Sequence, residues 1–433
     1  MKKVLFVTYY WPPSGGSGVQ RPLKFVKYLR HYGWEPVVYT VSNGEFPEID
    51  ESLLEEVPEG IEIIKKPIFE PFNLYKWFIG KKKDYKLVAG YLHQKKANSL
   101  SEKIALWIRS NVFVPDARIF WIRPSVHYLT QYIKKNKIDA LITTGPPHSV
   151  LLIGLGVKKR TNIPWLVDFR DPWTQIDYWD DLDLTTWARN LHKKLERKVL
   201  QQANTVVCVG KTWGKGLEDI GGRKVAYISN GYDEADIHKE IEVPLDSKFS
   251  IVHIGMMGKS RNHEVFWQVL SELVAENKLF SDKVVIKLYG KLDESAPECI
   301  EKYKLTPWVE IYAYVPHKEI IYVQKAAQVL YLSVNNTANA LGILTGKIYE
   351  YLAVQRPLLC IGPEQGEAAQ VIYETKAGLV SGFDDKVKLK QNILVLFEHY
   401  MNKQPYVSTG SNIEKYSRKY QTGQLASLLN QMV

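Results

Sequence analysis

Short runs of β-branched and aromatic residues recur along this chain, separated by longer amphipathic segments. That alternation restricts it to α/β folds built on parallel sheets. Lys3 to Thr8 has the apolar character of a buried strand, and a Pro/Gly loop follows it. A helix is predicted from about Val19 to Tyr32, closed by Gly33, then a second strand from Glu35 to Val41. This is one βαβ unit. Further strands are predicted at Ile61–Lys65, Asp139–Thr143, Pro164–Asp168, Thr205–Val209 and Val225–Ile228, with a Lys-, Trp- and Tyr-rich helical and irregular insertion at about 70–136.

A second series is predicted at Phe249–Ile254, Lys283–Tyr289, Val309–Tyr312, Val329–Leu332 and Pro357–Ile361. The two series share one architecture: two doubly wound, Rossmann-like α/β domains. Residues 1–230 form the first, 231–247 a linker opened by the turn signal Asn230-Gly231, and 248–411 the second. The stretch 412–433 is a further amphipathic helix, which either caps its own domain or crosses back to the first. Ligands of such sheets bind beyond the carboxyl ends of the strands, so the loops that follow strands hold the candidate site.

The 433 residues suffice for two such domains, and 45% hydrophobic with 24% charged residues excludes a disordered chain. Lys and Arg exceed Asp and Glu by 57 to 47, a net charge of +10 that favours anionic partners. The three cysteines, Cys208, Cys299 and Cys360, are far apart and form no Cys-x-x-Cys pair; a reducing cytoplasm is the simple reading. The apolar run after Met1-Lys2-Lys3 is too short for a signal peptide. The longest uncharged stretch, Ala140 to Val157, is broken by Gly145-Pro146-Pro147-His148 and reads as strand, turn and helix, not a membrane span.

The loop Tyr9 to Gly18 precedes the first helix and holds Gly15, Gly16 and Gly18. Glycines there let backbone N–H groups approach an anion at a helix start. Gly16-Ser17-Gly18-Val19-Gln20-Arg21 is two-thirds of a dinucleotide fingerprint, with Arg21 in place of the last glycine, and no acidic residue ends the second strand. An NAD site is therefore disfavoured, and a flexible turn remains as good a reading as a phosphate loop. In Leu344 to Ala353, Thr345 and Gly346 open a helix, Lys347 adds a positive charge, and Glu350 lies one turn on, on the same side. Such a helix either holds a diphosphate and a ribose or is an N-capped helix with a surface Lys–Glu pair.

Asp168-Phe169-Arg170-Asp171-Pro172-Trp173 ends a strand, and its carboxylates around an arginine suit a catalytic group or a structural ion network equally. Asp171 or Asp168 would position or deprotonate an acceptor hydroxyl. His148 begins a helix after Pro146-Pro147, where a capping or surface role is the blander reading. Asp181-Leu182-Asp183 lies in an acidic run and reads as a solvated loop, and no zincin, esterase-elbow or P-loop motif occurs. The stretch Tyr75 to Lys83, with Trp107, Arg109, Trp121 and Arg123, interleaves aromatics with cations. It suits an anionic membrane surface, a single-stranded nucleic acid or a solvated helical insertion.

Thr345-Gly346-Lys347-Ile348-Tyr349-Glu350-Tyr351-Leu352-Ala353 resembles the donor-site helix of GT-B fold nucleotide-sugar glycosyltransferases, and is closest to bacterial members of glycosyltransferase family four. The opening FVTYYWPPSGGSGVQR, the blocks TTGPPHS and IPWLVDFRDPW, and YISNGYD also resemble that family's segments, in its order and across nearly the whole chain. The middle blocks resemble its surface-polysaccharide enzymes. The resemblance implies two Rossmann-like domains facing across a cleft. Gly15 and Gly16 would approach the donor diphosphate from one side, with Thr345, Gly346, Lys347 and Arg261 on the other; Glu350 would bind the ribose, and the loop carrying Tyr314 would pass the base.

It further implies a metal-independent, retaining hexosyl transfer from a nucleotide diphosphate sugar to a glycan or lipid-linked acceptor, in surface-polysaccharide assembly at the inner face of the membrane. Asp171, Asp168 and Arg170 are the candidate catalytic groups. No cofactor besides the donor and no nucleic-acid partner are expected. Two departures stand out: Gly342 replaces the family's first glutamate, and Met256 an arginine, with Asn336 and Asn339 as nearby polar substitutes. Arg170 stands where many relatives have a histidine. The rival readings are a nucleotide-sugar epimerase on the same fold and a non-catalytic sugar-nucleotide or glycan-binding relative.

Overall fold

The computed structural model describes residues 1–46, 48–70, 100–176, 179–237, 241–313, 315–404, 406 and 412–433. They divide into two compact units, Met1–Ser229 with Arg418–Val433, and Asn230–Ser417. Unit 1 holds β1 (Lys2–Val7), β2 (Trp34–Val41), β3 (Glu62–Lys66), β4 (Ala140–Gly145), β5 (Trp165–Phe169), β6 (Thr205–Cys208) and β7 (Ala226–Tyr227). These pair in parallel in the order β3-β2-β1-β4-β5-β6-β7. Unit 2 holds β8 (Phe249–Ile254), β9 (Val284–Tyr289), β10 (Val309–Tyr312), β11 (Val329–Ser333), β12 (Leu358–Ile361) and β13 (Gly378–Ser381). Its parallel order is β10-β9-β8-β11-β12-β13.

Both sheets are doubly wound, and each reverses direction between its first and fourth strand. The apolar runs follow from this burial. In β1, Leu5 and Val7 join the core on one face, with Tyr39, Leu141 and Trp165. Val4 and Phe6 join the core on the other, with Leu23, Val26, Leu425 and Leu429. Strands covered on both faces read as continuous hydrophobic stretches rather than as alternations. In β8, Phe249 and Ile251 face one core and Val252 and Ile254 the other.

Two expectations change and an open one is decided. The segment expected as an insertion includes the helix Ile119–Asn136, which buries Trp121, Val126, Leu129 and Ile133. Trp121 stacks on Tyr39 at 5.7 Å, so it belongs to the core and not to an aromatic-basic surface. Trp107, on the helix Leu100–Asn111, is 46% exposed, and Tyr75 to Lys83 lie outside the described residues. The expected linker 231–247 clusters with unit 2: the Tyr232 N–H donates to the Tyr416 carbonyl at 3.1 Å, and Lys287 pairs with Asp246 at 2.7 Å. The terminal helix, Arg418–Met432, belongs to unit 1, where Asn430 accepts from the Trp34 indole at 3.1 Å. No described helix is long and apolar enough to cross a membrane.

Candidate functional site

In unit 2 the loops after β8 and β11 flank the switch point. Gly255 ends β8 at φ 101°, and a Cβ built on it would lie 2.4 Å from the Lys347 Nζ. The lysine ammonium therefore rests directly on glycine backbone, in a conformation that side chains rarely adopt. Lys347 opens the seven-residue helix Lys347–Ala353, with Gly346 at its N-cap. Burial, then repulsion from Arg261, pushes its pKa down to about 8, against the attraction of Glu350. Beneath it, His253 on β8 is held neutral: burial and then the Lys347 charge push its pKa down to about 3.

Arg261 ends the 3-10 turn Lys259–Arg261 after β8, and its Nε donates to Asn335 Oδ1 at 2.6 Å. Asn335 also donates to Ser260 Oγ at 3.3 Å. The residue that orients the guanidinium is thus Asn335. Asn336 meets this turn through its backbone N–H, to Ser260 O at 2.8 Å, and Asn339 Oδ1 accepts from Thr337. Glu350 accepts from the buried Gln324 at 3.1 Å, which fixes the carboxylate. The Thr345 hydroxyl is buried with no partner among the described residues, and nothing crowds Gly346. Two cations held close enough to repel, an orphaned hydroxyl and an open helix start form an anion cradle. Gly342 is buried in the turn Ala340–Gly342. Met256, 38% exposed, presents its carbonyl 3.5 Å from Arg261 Nη1. Tyr314 lies outside the described residues, while its neighbour Tyr312 stacks on Tyr289 at 4.4 Å.

Unit 1 treats its charged groups differently. Asp168 is 1% exposed and bound on both oxygens by Arg21, at 3.0 Å from Nε and 2.8 Å from Nη2. Thr144 adds a bond at 2.7 Å, and Arg21 donates its remaining Nη1 to Ser229 O at 2.7 Å. Asp168 is thereby the centre of a buried ion network, the structural one of its two expected readings. Arg170 is enclosed likewise. It is 7% exposed, and its guanidinium donates to the carbonyls of Gly18, Pro146 and Gly145, pinning the first helix to the loop after β4. Of the three expected catalytic groups only Asp171 is half-buried rather than enclosed, beside the Arg170 charge.

Gly15 donates its N–H to Glu48 O at 2.9 Å and is buried, so that N–H is committed to the loop. Gly16, at φ 82°, is the exposed N-cap of the helix Ser17–Leu29. His148 stands at the N-cap position of the helix Ser149–Thr161 after β4, with no capping bond from its side chain, and stacks on Trp173 at 4.7 Å with the rings 3° from parallel. The expected solvated loop around Asp181 and Asp183 is a 3-10 turn on which both are exposed. Arg21, Gly255 and Asn335 carry the local architecture and went unassigned in sequence. Gly255 alone had a signal, as a glycine directly after a strand.

Residues 104–231 match the model of the glycosyl transferase 4-like domain, which includes His148 and Asp171. No curated protein matches the chain. Among solved structures, it is similar to sucrose-phosphate synthase from Thermosynechococcus elongatus, at 13% identity and a TM-score of 0.60 over 100% of this chain and 99% of that one. It is similar to HepE from Anabaena in complex with UDP-glucose, at 13% identity and a TM-score of 0.59 over 100% of both chains. It is also similar to a TarM variant from S. aureus in complex with fondaparinux, alpha-GlcNAc-glycerol and UDP, at 13% identity and a TM-score of 0.58 over 99% of this chain and 100% of that one. At such identities the likeness establishes the fold. It is GT-B, with two Rossmann-like domains.

Proposed function

We propose that this chain is a nucleotide-sugar glycosyltransferase whose unit 2 holds the donor diphosphate on Lys347, Arg261, Thr345 and Gly346, with Glu350 accepting from the ribose hydroxyls. The observation that carries the reading is the Lys347 ammonium, seated on Gly255 and kept under repulsion by Arg261. A diphosphate placed there relieves the repulsion and satisfies the Thr345 hydroxyl. Because charge grows on the diphosphate as the glycosidic bond breaks, the same groups stabilise the transition state more than the bound donor. They take the role that a divalent cation would otherwise play, so transfer is proposed to be metal-independent and to need no cofactor.

With Asp168 sealed and Arg170 spent on carbonyls, the acceptor proton has an obvious destination on the departing phosphate itself. The C1–diphosphate bond breaks, the C1–acceptor oxygen bond forms on the same face, and the acceptor proton passes to the leaving oxygen. That course retains configuration. In unit 1, Asp171 is the half-buried carboxylate proposed to bind an acceptor hydroxyl. The exposed Phe69, Trp107, Val112 and Phe120 fit the proposed peripheral contact with a membrane that carries a lipid-linked acceptor. The proposed setting is polysaccharide assembly at the inner face of the membrane; the likeness to HepE in complex with UDP-glucose agrees with a nucleotide-sugar donor.

The test is a screen of UDP-, GDP-, dTDP- and ADP-sugars, following nucleotide release with and without bacterial lipid extract, beside a Glu350→Ala variant. Release from one donor, raised by extract and lost in the variant, is the expected result. Consumption of a donor independent of any acceptor would point instead to an epimerase. Binding without turnover in every combination would point to a non-catalytic relative.

A further inference from the structure

We propose that His148 is a neutral hydrogen-bond donor, through its Nε2–H, to a hydroxyl oxygen of a sugar bound in unit 1. This rests on the glycosyltransferase reading above. His148 follows β4, and β4 lies beside β1 in the sheet, so the residue stands at the switch point of unit 1, where ligands of doubly wound sheets bind. Its ring is fixed by the parallel stack on Trp173, whose centroid is 4.7 Å away. Trp173 is fixed in turn, because its indole N–H donates to His192 Nδ1 at 2.9 Å. An indole nitrogen can only donate, so His192 carries its proton on Nε2 and Nδ1 accepts.

The hydrogen-bond accounting then selects the His148 tautomer. Its Nδ1 is buried and has no partner among the described residues. An orphaned buried donor is rarer in folded proteins than an under-used acceptor. The proton therefore sits on Nε2, which is also the ring nitrogen left for a ligand to reach. Among the described residues the charged or titratable groups around the ring are Asp116, Arg170 and the neutral His192. Asp116 is occupied by the Ser149 N–H at 2.8 Å and the Ser149 hydroxyl at 2.6 Å, and Arg170 by three carbonyls. Burial pushes the His148 pKa down to about 4, so the ring is neutral near pH 7. A rigid, uncharged donor among spent charges suits an uncharged polyol and not a phosphate.

Three variants separate this role from others. His148→Gln keeps an N–H near the Nε2 position, His148→Asn moves it towards Nδ1, and His148→Ala removes it. With the donor that the screen identifies, His148→Ala and His148→Asn are expected to raise one KM about tenfold, with kcat changed less. His148→Gln is expected to recover most of that loss and to keep the wild-type pH profile. A change in the donor KM assigns the sugar to the donor, and a change in the acceptor KM assigns it to the acceptor.

Wild-type kinetics in His148→Ala would overturn the proposal. So would a His148→Gln enzyme that is inactive and has lost an acid limb of its pH profile, which would make His148 a base. Failure of the wild type to release nucleotide from any donor would be a failure of the glycosyltransferase reading itself. In that case ¹⁵N spectra of His-labelled protein still decide the tautomer, with the signal assigned by its loss in His148→Gln. Nε2–H between pH 6 and 8 is expected; Nδ1–H overturns the proposal.

Discussion

The two units wind their sheets in the same order and place loops at the same kind of switch point, yet they spend charge in opposite ways. In unit 1, Asp168 and Arg21 neutralise one another in the core, and Arg170 is consumed by backbone carbonyls. In unit 2, Lys347 and Arg261 repel each other at the end of β8, and the Thr345 hydroxyl has no partner among the described residues. Topology sets where a ligand binds, and the local charge account sets what kind. On the proposed reading the first site offers neutral donors to hydroxyls, and the second offers two mutually repelling cations to a diphosphate.

The strongest way to break that comparison is at Asp168. Asp168→Asn leaves Arg21 buried without its counter-charge, which costs on the order of 3–5 kcal/mol. The expected outcome is a large drop in the denaturation midpoint. Asp171→Asn should leave the midpoint within about 0.5 kcal/mol of wild type while lowering transfer. Equal stability of Asp168→Asn and wild type, with activity alone lost, would return Asp168 to the catalytic group.

The next effect sharpens the account of unit 2. A free-state Lys347 pKa of about 8 means the ammonium is progressively lost above that pH, and a bound diphosphate must restore it. Nucleoside diphosphate affinity should therefore fall by up to about tenfold per pH unit above 8. Calorimetry in two buffers of different ionisation heat should show proton uptake on binding near pH 8.5. The same depression has the opposite consequence for folding. The unfolded lysine holds its proton up to its ordinary range, so ligand-free stability gains from this group as pH rises from about 8 towards 10.

A smaller effect tests the loop that carries His148. Asp116 caps the helix Ser149–Thr161 from outside, through the Ser149 N–H and hydroxyl. Asp116→Ala should cost about 1 kcal/mol in thermal unfolding, with nucleotide affinity unchanged, because unit 2 is untouched.

The sheets were largely legible in the sequence, because strands covered on both faces write themselves as continuous apolar runs. β13 was missed: Gly378–Ser381 is only four residues, and just its last two are buried. The helix Ile119–Asn136 reads in sequence as part of an insertion because its Lys and Arg residues outline a solvated face, while Trp121 turns inward onto Tyr39. At the site, the Thr345–Glu350 segment was legible because its residues are contiguous. Asp168 was not, because its partner Arg21 lies 147 positions away and only the fold brings them together. Asn335 escaped for the same reason, reaching Arg261 across 74 positions.

The central claim, that unit 2 holds a nucleoside diphosphate on Lys347, is tested most directly by melting temperature with UDP, GDP, dTDP and ADP, in wild type and in Lys347→Met. One nucleotide should raise the wild-type value and leave the variant unmoved. The ligand-free variant should melt higher than wild type, since a buried, repelled cation has been replaced by an apolar chain of similar size. An undiminished nucleotide shift in Lys347→Met would contradict the account.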